Sequence, residues 1–107
     1  MPIQNGSART CWLAYPLKVK ENAGFTRTEM QIYLEERNIQ TRVVFTGNVL
    51  RQPMMSGQNF VGNADDFVNA DQVMKNGILL ACHHGLTSDM KEHLYSSIEA
   101  FIETRKP

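Results

Sequence analysis

Apolar and polar positions along this chain change period from block to block, and the blocks predict its elements. Cys11-Trp12-Leu13-Ala14-Tyr15-Pro16-Leu17-Lys18-Val19 is rich in apolar and aromatic residues and runs into Glu21-Asn22-Ala23-Gly24, which predicts a strand and then a turn. Proline has no N–H to give a ladder, so Pro16 places that strand at an edge or a bulge. Thr26-Arg27-Thr28-Glu29 fits a capping box, with Phe25 and Met30 at staple positions. Met30, Tyr33 and Leu34 recur at helical spacing with Glu35, Glu36 and Arg37 outside, so a helix runs from Thr26 to near Asn38 and buries one stripe. Ile39 to Phe45 is a β-rich run and returns as a second strand.

From Thr46 to Asn63 three glycines and one proline interrupt a stretch without period, which predicts a long loop, functional or disordered. Phe67, Ala70, Val73 and Met74 lie at helical spacing, and Asn76-Gly77 is a helix stop, since glycine accepts the left-handed conformation. Ile78-Leu79-Leu80-Ala81-Cys82 is an unbroken apolar run of strand length, read as a central strand. Thr87 caps a last helix, Ser88 to about Thr104, with Met90, Leu94, Ile98, Phe101 and Ile102 on one face.

The order strand, helix, strand, loop, helix, strand, helix predicts an α/β (α+β) fold: a small two-layer sandwich, a sheet of about three strands with helices packed on it. Residues 1–10 are polar and without period and read as a flexible lead-in to one folded unit, 11–107. So small a sheet leaves edges that need covering, and association with another domain or subunit is expected.

The 107 residues leave room for one domain, and 11 basic residues balance 11 acidic ones, so no broad positive field exists to hold a nucleic-acid backbone. The longest apolar run, Gly77 to Cys82, falls far short of the ~18 residues of a membrane span, and the first residues lack an apolar signal core. A soluble, cytoplasmic protein with no nucleic-acid or membrane partner is the expectation. Two cysteines, Cys11 and Cys82, are too few for a disulfide framework and are expected as reduced thiols in the core, where Trp12, Tyr15, Tyr33 and most of the six methionines also belong.

Candidate chemistry concentrates in two places. Cys82-His83-His84-Gly85 gathers metal-capable side chains, but successive strand residues point to opposite faces, so one histidine faces a polar cleft, the other faces solvent, and no metal site forms. His93, beside Glu92, is a surface residue. Around the Gly47-Asn48 turn, Arg42 and Arg51 either grip phosphate or carboxylate bidentately or are two solvated arginines at an ordinary turn.

Several phrases, taken in order, resemble a known family: Trp12 to Leu17, Phe25-Thr26-Arg27, Leu34 to Arg42, Phe45-Thr46-Gly47-Asn48-Val49-Leu50-Arg51-Gln52-Pro53, Asn69-Ala70-Asp71 with Val73-Met74, and His84-Gly85-Leu86-Thr87. They resemble the C-terminal domain of the DegT/StrS-type sugar aminotransferases, fold-type-I enzymes using pyridoxal phosphate (PLP) or pyridoxamine phosphate (PMP) on nucleotide-linked keto-sugars. The Gly-Asn and Leu-Arg-Gln-Pro phrase looks most like the branch that removes the 3-hydroxyl of a 4-keto-6-deoxyhexose in lipopolysaccharide and deoxysugar synthesis. The resemblance implies the small domain of such an enzyme, one wall of the substrate cleft and part of a dimer, with the large PLP domain absent from this chain. It implies substrate contacts at Arg42, Phe45, Gly47, Asn48, Arg51 and at His83 or His84, His84 standing where proline is usual. It offers no catalytic residue and no cofactor contact: none of the lysines lies in a segment like the family's cofactor lysine, and two cysteines cannot supply an iron–sulfur cluster. The chain alone is then expected to bind no cofactor and turn over no substrate. The rival reading is a stand-alone α/β module, beginning at Met1, that binds an anionic ligand, a metal or a partner protein.

Overall fold

The computed structural model describes residues 3–105. The elements are β1 (Ala14–Lys18), α1 (Arg27–Glu35), β2 (Thr41–Arg42), α2 (Val68–Asn76), β3 (Gly77–Ala81) and α3 (Ser88–Glu103). They form the expected two-layer α+β domain. The sheet has three strands in the order β1-β3-β2, with both pairings antiparallel. β3 is therefore central and Pro16 lies on an edge strand, opposite Leu79.

Alternation along the strands selects the core face. Tyr15 pairs with Leu80 and Leu17 with Ile78, so these four side chains share one face. α1 and α3 cover it: Met30 and Leu34 from α1 and Phe101 from α3 are buried with Ile78, Leu80 and Val19. Phe25 and Tyr33 close on Phe101, ring centroids 4.8 and 4.9 Å away, in edge-to-face and tilted geometries. The Arg37 guanidinium stacks 3.4 Å over the Tyr33 ring and Arg105 lies 3.9 Å over Phe101, so the outer side of this aromatic cluster is shielded by cations.

The capping box at Thr26 forms as the sequence predicts: the Glu29 N–H donates to Thr26 Oγ1 at 3.2 Å and the Thr26 N–H donates to Glu29 Oε2 at 2.7 Å. The helix ends earlier than Asn38, because Glu36 caps it and Asn38 turns to φ 59°. β1 starts three residues later than expected, at Ala14 rather than Cys11, and this corrects two core assignments. Cys11 and Trp12 precede the sheet and are exposed, while Cys82 lies just past β3 and is half-buried. Of the methionines Met30 is buried, but Met54 and Met90 are exposed; on α3 it is Leu94, Ile98 and Phe101 that pack inward, while Ile102 is exposed.

β2 is two residues long, not the run from Ile39 to Phe45, because the Phe45 N–H donates back to Val43 O at 3.0 Å and the chain leaves the sheet there. Gly77 stops α2 by another route than a left-handed cap. Its backbone is extended, φ −81°, and begins β3; a Cβ there would lie 2.5 Å from Val73 O and 2.7 Å from Val44.

Candidate functional site

The segment between β2 and α2 contains three 3-10 turns, Val49–Arg51, Pro53–Met55 and Ala64–Asp66, so it is built structure rather than a structureless loop. Asn48, Arg51 and Gln52 of the Phe45-to-Pro53 phrase each have a structural partner. Gly47 sits at φ 61°, and a Cβ on it would collide with Met74, so only glycine lets the turn lie against α2. Asn48 is 2% exposed: its oxygen accepts from the Leu50 N–H at 3.2 Å, and its amide donates to Ala64 O at 3.0 Å and to Asp71 Oδ1 at 2.8 Å. Gln52 donates to Thr46 O at 2.7 Å, closing the turn, and Pro53 starts the second 3-10 turn.

Arg51 is the strut. Its Nε donates to Asp71 Oδ1 at 2.6 Å, and its Nη2 donates to Asp71 Oδ2 and Asp65 Oδ1, both at 2.7 Å. The Arg51 hydrogen bonds, and then that of Asn48, hold the Asp71 carboxyl below its ordinary range, while Asp71 and then Asp65 raise the already high pKa of the guanidinium. Asn48, buried, and Arg51, at the surface, thus weld the loop to α2. Among the side chains the loop presents outward are three large apolar ones, Phe45, Val49 and Met54. Phe45 is 79% exposed and has φ 46°, an uncommon conformation for a bulky residue, which persists only where surrounding structure imposes it.

Arg42 differs from Arg51. It lies across from Leu79 on β3, donates from Nη1 to Thr41 O at 2.9 Å, and donates from Nη2 to the Gln40 amide oxygen at 2.8 Å once that amide is oriented to satisfy its neighbours. Among the described residues the side-chain ion pairs are those of Arg51 with Asp65 and Asp71, so no carboxylate neutralises Arg42 by direct contact. Glu35 is held below its ordinary pKa by the Thr41 N–H first, the Thr41 hydroxyl next and the Arg42 charge least, and it gives Oε1 to Thr41.

Arg42 lines a cavity of about 370 Å³ at the end of the sheet where β1 begins and β3 finishes, walled by Leu13, Ala81, Leu86 and Met90. His83 and His93 reach the same cavity. His83 Nδ1 accepts from the Gly85 N–H at 3.1 Å, which leaves the proton on Nε2, and His93 Nε2 donates to Arg37 O at 2.9 Å. His83 and His84 lie beyond the end of β3, both exposed, with rings edge to face and centroids 6.5 Å apart. The site residues read from sequence therefore fall into two groups: Arg42 and His83 on the cavity, and Phe45, Gly47, Asn48 and Arg51 on the braced loop, with His84 outside the cavity wall. Asp65, which closes the clamp, and Met90 and Leu13 on the cavity carry no sequence signal as site residues, because each gains its place only through tertiary contact; Cys82, singled out with the two histidines, also lines the cavity.

No helix among the described residues is long and apolar enough to cross a membrane. Lys18, Lys20, Lys75 and Lys91 are all exposed, and Lys18 and Lys20 flank only a shallow polar hollow with Glu21 and Gln72. These lysines do not fit a seat for a covalently held cofactor.

Comparison with known proteins finds relatives of this fold. The structure superposes on a solved variant of GDP-4-keto-6-deoxymannose-3-dehydratase (ColD) with bound GDP-perosamine, with a TM-score of 0.62 and 20% identity, over 98% of this chain and 25% of that one. Residues 1–99 match the DegT/DnrJ/EryC1/StrS aminotransferase family, and the chain belongs to that family, whose enzymes are PLP-dependent. It is 32% identical over 104 residues to the lipopolysaccharide biosynthesis protein RfbH of Salmonella typhimurium, covering 95% of this chain and 23% of the relative. It is 29% identical over 102 residues to the dTDP-4-dehydro-2,6-dideoxy-D-glucose 3-dehydratase of Saccharopolyspora spinosa, covering 95% of this chain and 22% of the relative. The chain thus spans about a quarter of the length of the relatives it matches.

Proposed function

We propose that this chain is the C-terminal small domain of a PLP- or PMP-dependent enzyme that acts on nucleotide-linked 4-keto-6-deoxyhexoses, forming one wall of the substrate cleft and part of a dimer. The names of the relatives favour 3-dehydration over transamination. The observation that carries the reading is Phe45, held at φ 46° and 79% exposed on a loop fixed by Arg51, Asp71 and Asn48. An apolar ring on a rigid support suits the face of a sugar, and Arg42 supplies a cation for the nucleotide diphosphate. Gly47, Asn48 and Arg51 act by positioning Phe45. His83 and His84 stand at the rim. PLP or PMP, held by a large domain, would supply the electron sink for the chemistry, while the residues here bind and orient.

The test is to join this chain to the remaining three-quarters of the Salmonella relative, in place of the segment it matches, and to assay 3-dehydration of the nucleotide keto-sugar. The expected result is turnover by the chimaera, none by the chain alone, and a KM raised about tenfold or more by Phe45→Ala, since losing one well-packed aromatic contact is worth about 1.4 kcal/mol or more. A folded, cofactor-loaded chimaera that converts no substrate would contradict the reading.

A further inference from the structure

Two asparagines in the chain precede glycine, Asn5-Gly6 and Asn76-Gly77, and each of the others precedes a residue with a side chain. The pairing matters because the backbone nitrogen that follows an asparagine lies within reach of its Cγ, and a five-membered ring closes when the two meet. Glycine in the next position removes the Cβ that would crowd that nitrogen and frees the backbone to turn. Such pairs are where asparagine is thermolabile. Local sequence treats the two pairs alike, and the fold separates them. Asn76 is 8% exposed; its amide donates to Gln72 Oε1 at 2.9 Å, its carbonyl accepts from the Val19 N–H at 3.0 Å, and the Gly77 N–H donates to Val73 O. Attacking nitrogen and electrophile are both fixed there. Asn5-Gly6 is the reverse: both residues are exposed ahead of β1, in a turn closed by the Ala8 N–H donating to Asn5 O at 3.0 Å. The space beside the Gly6 Cα is open, and among the described residues no hydrogen bond holds the Gly6 N–H. Two donors meet Asn5 Oδ1, the Ser7 N–H at 3.0 Å and the Ser7 hydroxyl at 2.8 Å.

We infer that Asn5 is a self-modifying site, at which the chain converts its own side-chain amide to a carboxylate with Ser7 as the oxyanion donor. The Gly6 nitrogen attacks Asn5 Cγ and forms the new N–C bond of a succinimide. The bond from Cγ to the side-chain nitrogen breaks, and that nitrogen leaves as ammonia, taking up the proton that Gly6 N gives away. Water then opens the ring at one carbonyl or the other, which yields aspartate or isoaspartate, and no atom is oxidised or reduced. Negative charge gathers on Oδ1 as the nitrogen attacks, and both Ser7 donors are aimed at that atom, so their bonds strengthen in the tetrahedral intermediate. The product adds one negative charge to a chain of formal charge zero, and isoaspartate also lengthens the backbone by a methylene within the Asn5–Ala8 turn. The change falls outside the buried core, so aged molecules carry a more acidic, altered segment ahead of an intact sheet. The site is independent of the cleft chemistry proposed above.

The experiment is peptide mapping by mass spectrometry of the full chain, held for several weeks at neutral pH and physiological temperature, with and without urea. Trypsin places Asn5 in Met1–Arg9 and Asn76 in Asn76–Lys91, so the two sites are read separately. In the folded chain Met1–Arg9 should gain the mass difference between an amide and a carboxyl, as two products separable by chromatography, at least about tenfold faster than Asn76–Lys91; urea should release Asn76 and close most of that gap. Gly6→Ala should slow conversion at least about tenfold. Ser7→Ala keeps the backbone donor and loses the hydroxyl, and should slow it about threefold or more, the net worth of one hydrogen bond. The inference is overturned if Asn5 stays an amide, or if Asn76 converts as fast as Asn5 in the folded chain. The Ser7 assignment is overturned if Ser7→Ala converts at the wild-type rate or faster, the result expected of a turn that merely restrains Asn5. The wild-type comparison of the two peptides decides the site should a variant fail to fold.

Discussion

A methyl group on Gly47 would meet Met74 while the backbone stays at φ 61°, so Gly47→Ala combines a steric clash with a left-handed alanine. The conformational part alone costs about 1–2 kcal/mol, and urea unfolding of the variant should show at least that loss. Asp71 sets a pH dependence at the same place. Its carboxyl titrates below the ordinary 3.8 in the folded chain, chiefly through Arg51 and then Asn48. A depressed folded pKa means that the stabilisation is fully present above the unfolded value and is lost as pH falls through the folded one. The clamp should therefore hold at neutral pH and release below about pH 4, and Asp71→Asn should remove that acid transition; protection of the Val49–Arg51 amides from hydrogen exchange checks both. The residues of this cluster were legible in the sequence, but their roles were not. Arg51 pairs with carboxylates 14 and 20 positions away, and nothing local distinguishes it from Arg42, which has none.

Elements defined by local chemistry were the legible ones. The capping box at Thr26 and the Thr87 cap, accepting from the Met90 N–H at 3.2 Å, are written within one turn of chain and form as read. Replacing Thr26 with alanine should cost about 1 kcal/mol of stability, measured by thermal or urea unfolding with α1 as the probe. The sequence overstates β2 because β-branched residues favour a strand locally, while the Phe45 backbone turns away to start the loop. The order of segment 46–63 is hidden in the sequence for the complementary reason. Its order comes from side-chain to backbone bonds such as Gln52 to Thr46 O and Asn48 to Ala64 O, and those bonds have no hydrophobic period to detect.

At the scale of the whole molecule, the sheet order and its single covered face follow from the apolar run of β3 and the stripes of α1 and α3. What those patterns do not announce is how much apolar surface remains outside that core. Leu13 is 86% and Val61 100% exposed, beside Phe45 and Met54, and such a surface on a chain a quarter of its relatives' length fits a domain that meets others. Read as a whole, the molecule is a rigid support for one loop and one cavity edge. The most direct test of that account is amide hydrogen exchange across the chimaera with the Salmonella relative, with and without nucleotide keto-sugar. The account predicts that substrate protects Arg42 and the segment from Phe45 to Pro53; substrate protection confined to the rest of the enzyme, with these amides unchanged, would contradict it.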